Sequence, residues 1–181
     1  MSGSALLDAR VILAAAQLRP GMQVADFGAG RTGHLVLPMA EILGDEGVVF
    51  AVDIHPEALS MLRGYRALRE VPHLKVIRGD IERFGGIDGI EPQSLDRIFL
   101  VNTLWMTGQF ASTVAEARRL LALDGVIVVV DWEPATRHGA APAQSLRITP
   151  QNADAFFTEG GCKKCADFQP SRHHWGRIYS H

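Results

Sequence analysis

The sequence from Val24 to Leu35 reads VADFGAGRTGHL, an apolar strand that passes through three glycines into the start of a helix. Glycines at positions 28, 30 and 33 let the backbone turn sharply and approach a ligand closely. The helix that follows offers unpaired N–H groups in its first turn. Asp53 ends the next predicted strand, 25 residues after Gly28, where a carboxylate can accept hydrogen bonds from both hydroxyls of a ribose. The pattern therefore predicts an adenosine-containing cofactor.

Strand and helix patterns alternate along the rest of the chain. The predicted strands cover Gln23–Phe27, Val48–Asp53, Leu74–Arg78, 97–101 and 126–131, and the predicted helices between them cover 34–43, Pro56–Leu68 and 111–121. The strands near the middle are apolar on both faces, which is typical of parallel strands covered by helices on both sides. We predict an α/β fold that is Rossmann-like and doubly wound, with a seven-stranded, mostly parallel sheet.

Both ends of the chain add elements to this pattern. A helix precedes the first strand, ends at Pro20-Gly21 and has the apolar stripe Leu7, Val11, Ala14 and Leu18. Near the other end, Thr149 and Pro150 begin a helix that two glycines close at 160 and 161. Strands at 164–168 and 177–179, with the turn-prone residues 169–171 between them, predict a hairpin whose last strand is antiparallel to its neighbour. We expect residues 1–181 to form a single domain.

The composition excludes several classes of protein. Of the 181 residues, 47% are hydrophobic and 21% are charged, as in a folded globular domain. The net charge of -2 provides no overall basic field, which favours a small-molecule partner over nucleic acid. No apolar run is long enough to cross a membrane, and Asp8 precedes the apolar run near the start where an export signal has positive charge. With only two cysteines, Cys162 and Cys165, we expect a cytoplasmic protein.

The position of one acidic residue favours one class of cofactor over another. Asp26 lies two residues before the first glycine, where a negative charge opposes a pyrophosphate but suits a cofactor with a sulfonium and an ammonium group. Residues 26–33, DFGAGRTG, resemble the first motif of the class I S-adenosylmethionine-dependent methyltransferases, although the third glycine comes one residue later than in the common D-x-G-x-G-x-G form. Residues 94–102 and 121–126 resemble the fourth-strand motif of that family and the turn into its fifth strand. The chain looks closest to small members related to the ubiquinone and menaquinone C-methyltransferases.

The resemblance implies a role for each motif residue. Asp26 would hold the cofactor's ammonium group, Asp53 its ribose and Asp80 its adenine amine, while Asn102 would lie where the methionine moiety meets the methyl acceptor. The full cofactor-binding set that the resemblance implies is Asp26, Gly28, Ala29, Gly30, Gly33, Asp53, Ile54, Gly79, Asp80, Ile81 and Asn102. The cofactor would be S-adenosylmethionine, and no metal is predicted.

Methyl transfer is an in-line displacement at carbon, so the enzyme mainly aligns the acceptor and excludes water. A general base is needed only for some acceptors, and the catalytic residue stays open. The candidates on the loops beyond the sheet are Asp131, Glu133, His138, His173 and His174. Trp105, Met106 and Trp132 either line an acceptor pocket or pack under a loop. Residues 133–145, rich in alanine and proline, are expected to form a mobile cover over that pocket.

Two other functions fit the same motif. The glycine spacing G-x-G-x-x-G also occurs in NAD(P)-dependent reductases, and a cofactor-binding subunit without turnover would keep the same fold. Cys162 and Cys165 resemble half of a zinc site, but His173 and His174 are adjacent and would point to opposite faces of a strand. A homodimer is compatible with the sequence. The sequence does not identify the methyl acceptor.

Overall fold

A seven-stranded sheet forms the centre of the computed structural model, which describes residues 6–181. The strands are β1 (Gln23–Phe27), β2 (Val48–Asp53), β3 (Leu74–Arg78), β4 (Leu95–Val101), β5 (Leu121–Trp132), β6 (Lys163–Ser171) and β7 (His174–Ser180). Their order across the sheet is β3-β2-β1-β4-β5-β7-β6. Strands β1 to β5 are parallel, and β7 is antiparallel to both β5 and β6. The predicted fold class is confirmed.

Five helices connect and cover these strands: α1 (Ala9–Ala15), α2 (Val36–Leu43), α3 (Pro56–Leu68), α4 (Phe110–Leu120) and α5 (Pro150–Glu159). Alternate residues of β5 enter different apolar layers, with Ile127 and Val129 on one face of the sheet and Val128 and Val130 on the other. All four are fully buried, as expected for parallel strands covered on both faces. Within the described part of the chain, no helix is both long and apolar enough to cross a membrane.

The predicted apolar stripe of the first helix is wrong. Val11 and Ala14 are exposed, and the buried face consists of Ala9, Ile12, Leu13 and Ala16. The Asp8 carboxylate accepts a hydrogen bond from the Arg10 N–H and thereby starts α1 at Ala9. Gln17, with a φ of 53°, ends the helix before Pro20. Both stripes have helical spacing, and the sequence alone did not separate them.

The position of the hairpin turn also differs from the prediction. Residues 169–171 belong to β6, and the turn is at Arg172 and His173. Pro170 is tolerated because β6 is an edge strand and the pairing with β7 is irregular between Phe168 and Ser171. Other boundaries also differ: α2 begins two residues later than expected, and β5 begins at Leu121, five residues earlier than expected, where it pairs with Leu95.

Glu116 of α4 fixes the loop that follows β3. Its fully buried carboxylate accepts hydrogen bonds from the N–H groups of Gly85 (2.7 Å) and Ile87 (3.0 Å) and pairs with Arg119 at 2.7 Å. Burial acts to raise the pKa of Glu116, but the hydrogen bonds from Arg119 and the two backbone groups outweigh it, so its pKa lies below the usual value. One buried side chain therefore shapes the loop between β3 and β4.

Candidate functional site

A cleft of about 340 Å³ lies at the carboxyl ends of β1 to β4. Its volume is in the range of small-molecule and cofactor sites. In an open α/β sheet, this edge is the usual place for ligands. The lining residues come from the four loops after these strands: Gly28, Gly30, Arg31, Asp53, Ile54, His55, Ala58, Gly79, Asp80, Ile81, Glu82, Thr103, Met106 and Thr107.

The glycine loop after β1 forms one wall of the cleft. The N–H groups of Gly28 and Ala29 both donate to the Val52 carbonyl, at 2.9 and 3.0 Å. Gly28 has a φ of 81°, and a Cβ there would lie 2.9 Å from the Thr103 hydroxyl oxygen, so only glycine fits without displacement. A Cβ at Gly30 would meet no atom within 4 Å. The backbone is therefore open to a ligand at Gly30.

Gly33 does not line this cleft. A Cβ at this position would lie 3.3 Å from Leu37 and 3.4 Å from Tyr65, and the residue borders a separate depression between α2 and the end of α3. With a φ of 63°, Gly33 shapes the entry to α2. Of the predicted cofactor residues, four are not in the lining of the cleft: Asp26, Ala29, Gly33 and Asn102.

Asp53 links the second strand to the glycine loop. Its carboxylate is 7% exposed and accepts hydrogen bonds from the Gly30 N–H and the His55 N–H, both at 2.9 Å. Each carboxylate oxygen has two lone pairs, so both oxygens keep acceptor capacity after these bonds. Asp53 thus lines the cleft at the end of β2 and keeps lone pairs that can accept further hydrogen bonds.

Asp26 is a buried carboxylate at the end of β1. It is 4% exposed, and neither of its oxygens accepts a hydrogen bond from residues 6–181. Burial, together with the nearby charge of Asp53, raises the pKa of Asp26 to about 7. A buried carboxylate without a hydrogen-bond partner is costly when it is ionised, although Asp26 itself is not in the lining of the cleft.

We expect Asp26→Asn to raise the free energy of unfolding of the free protein at pH 8, and the gain to shrink as the pH falls towards 5. The pKa of Asp26 is about 7 in the folded protein and near 3.8 in the unfolded chain, so the folded state binds the proton more tightly. The ionised carboxylate therefore destabilises the folded state, and this effect is complete above pH 7 and fades as the pH falls towards 3.8. Denaturant titrations at pH 5, 6, 7 and 8 measure this difference. The exposed Asp124→Asn is the matched control, and an equal gain at every pH would contradict the assignment.

The loop after β3 forms the opposite wall. The Asp80 carboxylate accepts a hydrogen bond from the Glu82 N–H at 2.9 Å, and the Asp80 N–H donates to the Gly86 carbonyl. A Cβ at Gly79 would lie 2.9 Å from Ile87 and 3.0 Å from Val52, so the chain turns closely here. The predicted residues Gly79, Asp80 and Ile81 all line the cleft.

The loop after β4 supplies residues that the sequence did not single out. Thr103 lines the cleft, and its hydroxyl donates to the Phe27 carbonyl at 3.0 Å, which ties this loop to β1. The predicted residue Asn102 is not in the lining; it has a φ of 56°, and its N–H donates to the Val130 carbonyl at 2.8 Å. The Asn102 side-chain oxygen is buried without a partner among the described residues. Asn102 and Thr103 form a polar pair directly after the apolar strand β4, and this pair is the signal in the sequence that points to Thr103.

Two of the predicted acceptor-side candidates are fully buried. Asp131 accepts hydrogen bonds from the N–H groups of Trp132 (2.7 Å) and Trp105 (3.2 Å), and burial raises its pKa to about 7. His174 lies within β7, with its ring 4.2 Å from that of Trp132, and burial lowers its pKa to about 4. Asp131 holds the loop after β4 in place, and Trp132 packs instead of lining the cleft.

The remaining candidates meet at the ends of β5 and the hairpin. The Glu133 N–H donates to the His173 carbonyl at 2.8 Å, and the rings of His138 and His173 are 4.9 Å apart. Arg172 donates to Nε2 of His173, so the proton of the neutral ring resides on Nδ1, which is hydrogen-bonded to Thr136 at 2.8 Å. Glu133 and His138 are only partly buried. The fold thus gathers candidates that are 40 residues apart in the chain.

Residues 133–145 have little regular structure, but they are held by one side chain. The Arg147 guanidinium donates to the carbonyls of Pro142 (2.9 Å), Pro134 (3.0 Å) and Thr136 (2.6 Å). These bonds anchor the segment at three carbonyls, and the mobile cover stays a prediction. The cysteines occupy different environments: Cys162 is buried in the core beside α5, and Cys165 is exposed on the edge strand β6.

Comparisons with known proteins agree with this geometry. A family model described as a methyltransferase domain matches residues 18–177. A search of curated proteins finds no match. Similar solved structures include a SAM-dependent methyltransferase from Aquifex aeolicus, with a TM-score of 0.88 and 17% identity over 98% of this chain and 92% of that chain. A TehB-like SAM-dependent methyltransferase from Corynebacterium glutamicum has a TM-score of 0.69 and 16% identity over 96% and 86%.

A third structure, the trans-methyltransferase CalH in complex with SAH, has a TM-score of 0.73 and 19% identity over 94% of this chain and 54% of that chain. These identities establish a shared fold, whereas the family model covers most of the sequence. The match decides against the reductase alternative. The chain belongs to the methyltransferase-domain family.

Proposed function

We propose that this methyltransferase binds S-adenosylmethionine in the cleft at the ends of β1 to β4 and methylates a small-molecule acceptor. The observation that carries the proposal is the unpartnered, buried carboxylate of Asp26 beside the glycine loop. It supplies the negative charge that an ammonium or sulfonium group requires, and it would repel a pyrophosphate. Bound there, the cofactor supplies an electrophilic methyl group.

The residues of the cleft fit the other parts of this cofactor. Asp53 keeps lone pairs for the ribose hydroxyls, and the open backbone at Gly30 permits close approach. One Asp80 oxygen is bonded to the Glu82 N–H, which leaves the other to accept from the adenine amine while Ile81 provides an apolar contact. A Cβ at Gly33 would meet Leu37 and Tyr65, and the Asn102 N–H is bonded to the Val130 carbonyl, so we assign these two residues to the shape of the site instead of direct binding.

On the acceptor side, we propose Glu133 and His138 as the groups that meet the acceptor, because they are partly exposed whereas Asp131 and His174 are fully buried. The Nδ1 atom of His138 accepts from the Ala140 N–H, so Nε2 carries the proton of the neutral ring and can donate to an acceptor oxygen. Glu133 is then the group that can take a proton. Residues 133–145, anchored by Arg147, would cover the acceptor and exclude water.

Isothermal calorimetry tests the cofactor assignment. We expect S-adenosylmethionine and S-adenosylhomocysteine to bind at a single site, and NADH not to bind. Asp26→Asn should weaken binding of S-adenosylmethionine, which has a sulfonium charge, more than binding of S-adenosylhomocysteine, which has only the ammonium charge. NADH binding without a response to either methionine derivative would overturn the proposal.

We further propose that residues 1–181 act as one domain in the cytoplasm. The family model spans most of the chain, and one sheet carries both the cofactor cleft and the acceptor-side residues. The net charge of -2 favours a small acceptor over nucleic acid. A relation to the ubiquinone and menaquinone C-methyltransferases would make that acceptor an aromatic ring carbon, which a screen of phenolic and quinol acceptors with labelled S-adenosylmethionine tests.

A further inference from the structure

Glu82 joins the two loops that form opposite sides of the cleft. It lies in the loop after β3 and lines the cleft, and its backbone N–H donates to the Asp80 carboxylate at 2.9 Å. Its own carboxylate reaches the loop after β4, where one oxygen accepts from the N–H groups of Gly108 (2.9 Å) and Gln109 (3.0 Å). A short hydrogen-bonded path thus runs from Asp80 through Glu82 to the start of α4.

This carboxylate lies at the N-terminal end of α4. Gln109 occupies the N-cap position of α4, and its side chain makes no capping hydrogen bond. The N–H groups at the start of a helix need acceptors, and a negative charge at that end is favourable. Glu82 supplies such a charge and accepts from the N–H groups of Gln109 and of Gly108 before it, from a loop 26 residues earlier in the chain.

The loop that Glu82 holds faces the acceptor side. Residues 103–109 connect β4 to α4, and Thr103, Met106 and Thr107 line the cleft. Asp131 bonds the Trp105 N–H near the start of this loop, and Glu82 bonds its end. Met106 is 57% exposed, so the loop presents an apolar side chain to the region beyond the cofactor.

We infer that Glu82 is a positioning residue that transmits cofactor occupancy at Asp80 to the acceptor-side loop 103–109. This inference rests on the proposed cofactor site. When a ligand orders Asp80, the Glu82 backbone bonded to it is ordered as well, and the Glu82 carboxylate holds Gly108 and Gln109 in place. Ligand contact at Asp80 would thereby add to the order of the loop 103–109, whose hydrogen bonds to Glu82 are already present in the structure.

Amide hydrogen exchange with saturating S-adenosylhomocysteine tests this coupling. In the wild type, we expect exchange at Gly108 and Gln109 to slow when the ligand binds. In Glu82→Ala, exchange at these two amides should be about tenfold faster or more in the free protein, because a hydrogen bond to a charged group is lost, and the ligand response of loop 103–109 should disappear. Glu91→Ala, which removes an exposed acid in the same loop between β3 and β4, is the matched control and should behave as the wild type.

Two conservative variants separate positioning from general stabilisation. Glu82→Gln keeps an acceptor oxygen at the same reach and should retain the ligand response, whereas Glu82→Asp keeps the charge but is one methylene shorter and should lose it. These two variants decide the question even if Glu82→Ala does not fold. A ligand response retained in Glu82→Asp, or absent from the wild type despite calorimetric binding, would overturn the inference. Absence of calorimetric binding in the wild type would instead overturn the proposed function, and the inference with it.

Discussion

Asp53→Ala is expected to weaken binding of S-adenosylhomocysteine by about 10- to 100-fold, or roughly 1.5–3 kcal/mol, the range for hydrogen bonds to a charged group. Two losses contribute to this weaker binding. The variant loses the acceptor for the ribose hydroxyls, and it frees the Gly30 and His55 N–H groups that the carboxylate holds at 2.9 Å. Calorimetry at 25 °C measures the dissociation constant, and thermal unfolding checks that the fold is retained.

The matched control for this variant is Glu57→Ala. Glu57 is an exposed acid in the first turn of α3, and it pairs with Arg31 on the surface at 2.9 Å. Exposed ion pairs contribute little, so this variant should change the dissociation constant by less than about twofold. An unchanged dissociation constant in Asp53→Ala would show that the ribose is held elsewhere.

Glu116→Ala is expected to lower the free energy of unfolding by about 3 kcal/mol at pH 7, because removing one partner of a buried ion pair leaves the other groups uncompensated. The N–H groups of Gly85 and Ile87 lose their acceptor, and Arg119 loses its ion-pair partner. Urea titration measures the loss. Such a loss is a large part of the stability of an ordinary domain.

The contribution of Glu116 to the free energy of unfolding should decrease as the pH falls. The folded pKa lies below the usual value, so the carboxylate contributes fully above the normal carboxyl range and loses its contribution as the pH falls through the lowered folded pKa. The difference between wild type and Glu116→Ala should therefore shrink in acid. Glu91→Ala serves as the exposed control, and a loss below about 1 kcal/mol at pH 7 would contradict the role assigned to Glu116.

The parts of the site that the sequence predicted are those with a local signal. The run from Val24 to Leu35 gives strand, turn and helix in one stretch, and the rule that parallel strands end at one edge brings Asp53 and Asp80 beside it. The alternation of apolar strands and helices is also a local signal, and it predicted the sheet. The observed strand order confirms the predicted sheet, and Asp53 and Asp80 line one cleft.

The parts that the sequence missed depend on partners far apart in the chain. Glu116 and Gly85 are 31 residues apart, and Glu82 and Gly108 are 26 apart, so no local spacing relates them. The face of α1 was wrong because two apolar stripes overlap in a short helix, and packing against the sheet chose the one that contains Ile12 and Leu13. Whether a loop acid serves catalysis or holds a backbone, as with Asp131, is decided by burial alone.

The hydrogen bond between Gly30 and Asp53 has a consequence for how this site changes over evolution. Because the same carboxylate serves the ribose position and the shape of the glycine loop, a single substitution at Asp53 alters both at once. A variant of this chain that adapts to a nucleotide with a modified ribose must rebuild the turn at Gly30 in the same step. In the proposed site, this bond therefore ties sugar recognition to the backbone geometry of the glycine loop.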